Sequence, residues 1–528
     1  MTSCRVLFLY PNERDMSLVP PVFGLFAALL KEQGHTTSLF DCTGYNFEGK
    51  VDADVALEKA LINKPIDEAT HKGVTGTFTG IKKLTNMYDD FIEKVEAFSP
   101  DLIAMSVTES TFLRGITVLD HLRQNKKHKI LTVIGGVFPT FAPERAFREP
   151  SVDIVCVGEG DVALVDLCGN LARSKDFSQI PNLWVKNPDG TAVKNPPGPA
   201  VDINLLPPID FSIFDDDRFY RPMRGKIFRM LPVETHRGCP YTCAFCNSPS
   251  QNTLYDSQTQ TKFFRKKSVE KIREEIINFK NQANGEYVFF WADTFLAWSM
   301  KELAEFCEMY SEFKFPFWCQ SRAETVSDSV DGYKKLKMLK EVGMDAIAFG
   351  MEHGNEKFRR DVVGRDYTNK EAIEALKNPA KLDIPFTLGN IIGFPDETHE
   401  LAMDTVEINR QINPFNLSCA VFAPFQGTTL RTLAEKRGYI EPDLISPHNG
   451  HISSLTMPDF SKDAIVGLQR CFVMYVRFPK KRWSEIKQAE AMTPEGNAIW
   501  ESLREEFLDT YWEKATLSPE PVFDKVNN

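Results

Sequence analysis

No stretch of this sequence is apolar for long enough to cross a bilayer. The longest run near its start, residues 22–30, is broken by Gly24 and falls far short of the ~20 apolar residues a spanning helix needs. An excess of positive charge is missing too. Against 73 Asp and Glu stand 62 Lys and Arg, a net charge of −11, so no broad basic face is available for nucleic-acid phosphates. Residues 1–11 carry one basic residue and too short an apolar stretch for a secretory signal, and read better as a strand. The eleven cysteines are odd in number and follow no such signal, so a reducing cytoplasm is expected rather than a disulfide framework. Repeats and low-complexity tracts are absent, and 42% hydrophobic with 26% charged residues excludes a disordered or fibrous chain.

What is present is an alternation of apolar runs with helical spacing. Strands are expected at 5–10, 37–41, 101–107, 130–134 and 153–157, and helices at 22–33, 91–97, 113–124 and 162–172. That order implies parallel βαβ units in an open doubly wound sheet, with its ligand beyond the carboxyl ends of the strands. Residues 45–90 fit no βα unit and read as an insertion. A proline-rich stretch (NPDG, NPPGP, LPPI) over 187–209 reads as a turn and a linker. A second series places strands at 230–235, 286–291, 315–319, 345–350, 386–392 and 417–422 with helices between them, the pattern of a partial barrel. Beyond about residue 440 helical patterns with aromatics take over, for example at 462–477 and 498–513. At about 100–200 residues per domain, 528 residues predict roughly three domains.

Cys239, Cys243 and Cys246 stand in HRGCPYTCAFC, directly after an apolar strand. Thiolates are the usual ligands of iron–sulfur clusters, and four normally saturate a four-iron cluster. Three at CxxxCxxC spacing, with no evident fourth, leave one iron open to a substrate or cofactor. A zinc site lacking a ligand and a chance grouping of reduced cysteines are the alternatives; zinc motifs more often show CxxC pairs. Cys307, Cys319, Cys419 and Cys471 lie in apolar surroundings and read as structural thiols.

With Phe245 before its last cysteine, CxxxCxxC resembles the signature of the radical S-adenosylmethionine (SAM) enzymes, whose fold is a partial (βα)6 barrel. Later segments resemble that family's motifs in the same order, over about residues 228–430. They are WADTFL at 291–296, QSR at 320–322, GMEHG at 350–354 and GNIIGFPDET at 389–398, where Asp396 stands in place of a glycine. The resemblance implies a [4Fe–4S] cluster on Cys239, Cys243 and Cys246. It further implies SAM bound by Phe245, Asp293, Thr294, Gln320, Arg322, Glu352, Ile391 and Ile392, with Glu352 facing the ribose.

Similar enzymes of the cobalamin-dependent branch carry a doubly wound corrinoid domain before the barrel. Residues 106–110 (SVTES), 135–140 (GGVFPT) and 158–160 (GEG) resemble its cofactor loops, in which glycines let backbone approach the corrin and its tail. The implied contacts are Ser106, Thr108, Glu109, Gly135, Gly136, Val137, Pro139, Gly158, Glu159 and Gly160. The alternative is a generic doubly wound domain holding another nucleotide or nothing. None of the nine histidines follows an Asp by two residues, so the DxHxxG motif that sets a histidine beneath cobalt is absent. No histidine is expected below the metal.

The resemblance therefore implies an α/β chain in four parts. A flavodoxin/Rossmann-like cobalamin domain spans 1–186, a Pro-rich linker 187–227, the radical SAM barrel 228–435, and a mostly helical substrate cap 436–528. The implied activity is that of a cytoplasmic radical SAM methyltransferase. Its 5′-deoxyadenosyl radical abstracts hydrogen from an unactivated carbon of a small molecule, and methylcobalamin then supplies a methyl group. A flavodoxin or ferredoxin is the implied reductant; neither nucleic acid nor membrane is a partner. The alternative is an enzyme with the same cofactors that cyclises, oxidises or rearranges its substrate without methyl transfer.

Overall fold

The structure, a computed structural model, describes residues 3–12, 19–45, 85–125, 130–224, 226–447 and 452–512. Most of the expected insertion at 45–90, and the end of the expected cap beyond 512, lie outside the described residues.

The first sheet has the parallel order β2-β1-β3-β4-β5. Its strands are β1 (Arg5–Tyr10), β2 (Thr36–Asp41), β3 (Leu102–Ser106), β4 (Leu131–Gly135) and β5 (Ile154–Cys156). Its central strands are apolar over most of their length because both faces are covered. Val6, Phe8, Leu102 and Ala104 enter one core, while Leu7, Leu9, Ile103 and Met105 enter the other. The expected Pro-rich linker is more structured than its composition implies. Its NPDG is the turn of a hairpin, closed by Asn187 N–H to Thr191 O (2.8 Å) with Gly190 at φ +85°. That turn joins antiparallel β6 (Leu183–Lys186) to β7 (Ala192–Lys194), so the first sheet continues beyond residue 186.

All six expected barrel strands are present, parallel and in chain order. They are β9 (Lys226–Glu234), β12 (Tyr287–Trp291), β13 (Phe317–Arg322), β14 (Met344–Glu352), β15 (Phe386–Ile392) and β16 (Asn416–Val421). β8 (Tyr220–Met223) adds an antiparallel edge on β9, leaving β8 and β16 as the edges of an open barrel. The short pair β10 (His236–Arg237) and β11 (Arg265–Lys266) sits beyond the end of β9. Four of the helices that cross back between strands start on Ser or Thr caps: Ser268, Ser299, Thr368 and Thr398 each accept a backbone N–H with the side-chain oxygen.

Alternation sorts every barrel strand into two faces. Leu231, Val233, Val288, Phe290, Ile347 and Leu388 pack outward against the helices. Past the last strand, helices Lys462–Arg477 and Pro494–Phe507 share a core with Ile392, Phe394 and Val421. No helix among the described residues is long and apolar enough to cross a membrane.

Candidate active site between two parallel sheets

β9 brings the chain to the carboxyl edge of the second sheet, where Gly238 at φ +84° turns it into the cysteine loop. A Cβ on Gly238 would lie 2.7 Å from the Phe263 ring, so the turn needs a glycine. Cys239 and Cys243 are buried and Cys246 half-buried. Arg322 Nη1 donates to Cys243 Sγ at 3.0 Å, the Ser248 N–H points to Cys246 Sγ at 3.5 Å, and Thr294 Oγ1 lies 3.5 Å from Cys239 Sγ. Burial pushes the Cys239 thiol up, and the Cys246 thiol to about 11. Both are protonated at neutral pH until a metal displaces the proton.

At the end of β14 the register with β15 slips between Gly350 and Glu352, and Glu352 takes φ +65°. A bulge there re-aims the side chain. The carboxylate folds over Gly350, where a Cβ would come within 2.3 Å of Glu352 Oε1. The GxE pattern thus has a steric reason: the glycine vacates the space the acid occupies. Glu352 is buried, and Arg365 Nη2 holds its Oε1 at 2.9 Å while Arg365 Nη1 bonds Gly350 O at 2.6 Å. Burial pushes the Glu352 pKa up, against the pull of Arg365 and Arg322.

The other expected SAM positions fall around this pair. Asp293 accepts from Ser248 Oγ at 2.9 Å, and burial raises its carboxyl even though the side chain opens to solvent. Phe245 lies between Arg365 (Cζ 5.6 Å from the ring) and Phe394 (6.2 Å between centroids). Gln320 is exposed and in register with Ala348, on the inner face of the sheet. Ile391 shares that face, but Ile392, its neighbour in a strand, points the other way and is fully buried in the core under the C-terminal helices. Asp396 sits at φ +64°, the conformation a glycine favours, anchored by Arg437 (2.9 Å) and Tyr439 Oη (2.7 Å).

Beyond the carboxyl ends of the first sheet lies a cavity of about 550 Å³, and its walls come from both halves of the chain. Ser106, Thr108, Gly135, Gly136, Val137, Gly158, Glu159 and Gly160 line it, and from the barrel side so do Glu234, Arg237, Tyr255 and Trp291. Gly136 (φ +110°) has no room for a side chain, since a Cβ would meet Val107 O at 2.3 Å; at Gly135 the nearest atom would be Cys156 Cβ at 3.4 Å. Thr140 ties the loops together, donating to Gly136 O (2.8 Å) and accepting from the Gly158 N–H (3.0 Å). No histidine is among the described lining residues.

Two expected contacts are absent from the wall. Pro139 is buried within the turn Val137–Phe141. Glu109 turns away from the cavity: its two oxygens accept the N–H groups of Gln426 and Ser446, each at 2.7 Å, with Arg431 at 3.6 Å. Glu159 does line the cavity, but it is committed to charge pairs. Arg237 reaches it at 2.9 Å and Arg265 at 3.0 Å, and these two arginines outweigh the effect of burial and hold its carboxyl below the usual range. Arg237 also meets Asp161 (3.0 Å) and Glu234 (3.2 Å), so a buried charge network crosses from one sheet to the other. Sequence reading missed Arg237 and Arg365. Arg237 stands two residues before Cys239, but its partners are remote in sequence.

Two family patterns match this layout: the B12 binding domain over residues 69–168 and the radical SAM superfamily over 233–408. An uncharacterized methyltransferase of Pyrococcus horikoshii is 27% identical over 345 residues, covering 65% of this chain and 71% of that protein. The anaerobic magnesium-protoporphyrin IX monomethyl ester cyclase of Rubrivivax gelatinosus is 25% identical over 352 residues, covering 64% of this chain but only 59% of its own length. Among solved structures, the cobalamin-dependent S-adenosylmethionine radical enzyme OxsB, with aqua-cobalamin and SAM bound, shares the fold. Its TM-score is 0.63 at 16% identity, covering 98% of this chain and 73% of that one. The chain belongs to the cobalamin-dependent radical SAM enzymes, whose cofactors are a [4Fe–4S] cluster, SAM and cobalamin. Its residues fit that set. Three thiols with N–H donors at two of their sulfurs suit cluster ligation, and the glycines that edge the cavity would let backbone approach a corrinoid.

Proposed function

We propose that the protein is a cytoplasmic radical SAM methyltransferase acting on a small molecule, with electrons supplied by a flavodoxin or ferredoxin. The observation that carries this reading is the shared cavity: loops of the B12-binding sheet and the entrance of the barrel face the same space. When bound, the three cofactors supply reductive cleavage of SAM, hydrogen abstraction from an unactivated carbon, and a transferable methyl group. The chain supplies placement and exclusion of water. Residues 1–186, with the hairpin strand that follows them, hold cobalamin and 228–435 the cluster and SAM, while the helices Lys462–Arg477 and Pro494–Phe507 pack on the outer face of β15 and β16. Cys239, Cys243 and Cys246 hold the cluster; the Arg322 donor at Cys243 Sγ stabilises negative charge on that sulfur. Glu352, pre-oriented by Arg365, accepts the ribose hydroxyls. Ser106, Thr108 and Gly135 border the corrinoid.

The Rubrivivax gelatinosus relative, named a cyclase, favours a second reading with the same cofactors and no methyl transfer. Anaerobic turnover with methyl-labelled SAM and candidate metabolites separates the two. Label in a product one methylene heavier supports methylation. 5′-Deoxyadenosine formed with an unlabelled product moves the assignment to cyclisation, oxidation or rearrangement.

A further inference from the structure

Four arginines lie on or beside β8 and β9, and three have carboxylate partners: Arg218 with Asp41, Arg224 with Asp345 and Arg229 with Asp216, each at 2.7 Å. The fourth, Arg221, has none among the described residues. It is 9% exposed, and its Nε and Nη1 are buried without a hydrogen-bond partner. Arg221 stands opposite Phe228, on the inner face of the barrel. Its Cζ is 5.7 Å from the centre of the Phe289 ring, which stacks on Trp318 at 4.2 Å. Phe289 is in register with Pro232, further along β9 than Phe228, so the guanidinium leans up the lumen toward the cysteine end.

A cation withdrawn from water needs compensation. A ring contact offsets only part of the cost of burying an ion. Burial and the charge of Arg218 lower the Arg221 pKa only to about 10, so the group stays charged at neutral pH. Inward positions on β14, β15 and β16 are small and half-exposed (Ala348, Gly389, Ser418), and they face the aromatic wall of Phe289, Trp318 and Trp291. Asn416, in register with inward-facing Thr387, adds a buried Oδ1 that also lacks a partner.

We propose that Arg221 is the anion receptor of the substrate pocket, so that the substrate carries an oxyanion, carboxylate or phosphate, which docks on this guanidinium while its reacting carbon points up the lumen. The fork of a guanidinium matches either oxyanion in bidentate fashion. This inference rests on the reading of the lumen as the place where substrate binds, and it names the substrate's class.

The test uses the full-length chain and two probes, sodium phosphate and sodium acetate. Each is titrated at constant ionic strength against a chloride control, with tryptophan fluorescence as the readout. Wild type is expected to give a saturable response to at least one probe, and the tighter of the two tells phosphate from carboxylate. Arg221→Met, which keeps length and removes charge, should weaken that binding at least about ten-fold without lowering Tm; Arg221→Lys should keep a weaker saturable response. A wild type blind to both anions, or Arg221→Met binding like wild type, overturns the proposal. So does a lower Tm for Arg221→Met with its anion binding intact. Because these readouts need no turnover, label transfer by an anion-blind wild type sinks this inference alone, and anion binding without label transfer sinks only the methyltransferase reading.

Discussion

The two parallel sheets solve one problem with different parts of the chain. Each leaves its working loops beyond the carboxyl ends of its strands. The first sheet mainly presents backbone: Gly135, Gly136 and Gly158 border the cavity, and Gly136 and Gly158 have left-handed φ values. The second presents side chains: three thiols, the Arg322 guanidinium and the Glu352 carboxylate, each held by a named neighbour. A site made of backbone is specified by what its residues lack, and one made of side chains by what they carry. The two should therefore fail in different ways, and independently.

The largest effect is expected on the side-chain half. Ala in place of Cys239, Cys243 or Cys246 should abolish cluster loading and 5′-deoxyadenosine formation, because each removal deprives an iron of its thiolate. Cys307→Ala and Cys471→Ala should leave both intact, since those thiols are buried in apolar cores. Iron, sulfide and 5′-deoxyadenosine per protein are the measurements. A fully loaded and active Cys243→Ala variant would remove the loop from the chemistry.

On the backbone half, the choice of glycine decides what is learned. Gly136→Leu would drive its Cβ into Val107 O and confound ligand loss with misfolding. Gly135→Leu meets only Cys156 Cβ at 3.4 Å and sends its bulk toward the cavity. It should cut cobalamin uptake by about ten-fold or more, with iron and sulfide unchanged. Normal uptake, read from the bound cobalamin absorbance, would mean that the corrinoid sits elsewhere. In the wild type, electron paramagnetic resonance of the cob(II)alamin form should show no nitrogen splitting from an axial histidine.

Much of this was legible in the sequence because it is local. Apolar runs located all six barrel strands and the five parallel strands of the first sheet, and the cysteine loop stood out by spacing. Strand periodicity could also have separated Ile391 from Ile392, since adjacent strand residues face opposite sides. The rest depends on contacts between distant residues. Arg237 and Glu159 are 78 positions apart, and Glu109 finds its backbone donors 317 and 337 positions away. Gly350 and Glu352 were readable as a pair, but the bulge and Arg365 that explain the pair were not.

A smaller effect is expected at Glu352. Glu352→Gln keeps the shape but weakens the acceptor, and it also leaves Arg365 buried without its carboxylate. The dissociation constant for SAM should rise about ten-fold or more, consistent with ~1.5–3 kcal/mol for a charge-assisted bond. Thermal stability should fall as well, because breaking a buried pair exposes an uncompensated charge. The two effects separate by measuring binding well below the melting range. An unchanged dissociation constant with lowered Tm would make Glu352 purely structural.

The effect furthest from turnover, one on stability alone, sits where the two halves are joined. Glu109 opens the helix Glu109–Asn125 at the edge of the first sheet, yet its carboxylate caps backbone N–H groups of the segment after the barrel. Burial pushes its pKa up to about 7, with the two backbone donors and Arg431 pulling the other way. A carboxyl raised in the folded chain holds its proton more tightly there than in the unfolded chain. The stability this lends is fully present below about pH 4.5 and is lost as pH rises through about 7. A shift from 4.5 to about 7 corresponds to roughly 3 kcal/mol across that window, at about 1.4 kcal/mol per unit. Glu109→Gln cannot titrate, although it gives up one of the two acceptors. Its stability relative to wild type should therefore improve steadily between about pH 5 and about pH 8, whatever the offset at one pH. Urea unfolding of both proteins across that range reads the difference directly. Parallel curves would show that Glu109 holds the same proton count folded and unfolded, and that the seam between the two sheets carries no titration of its own.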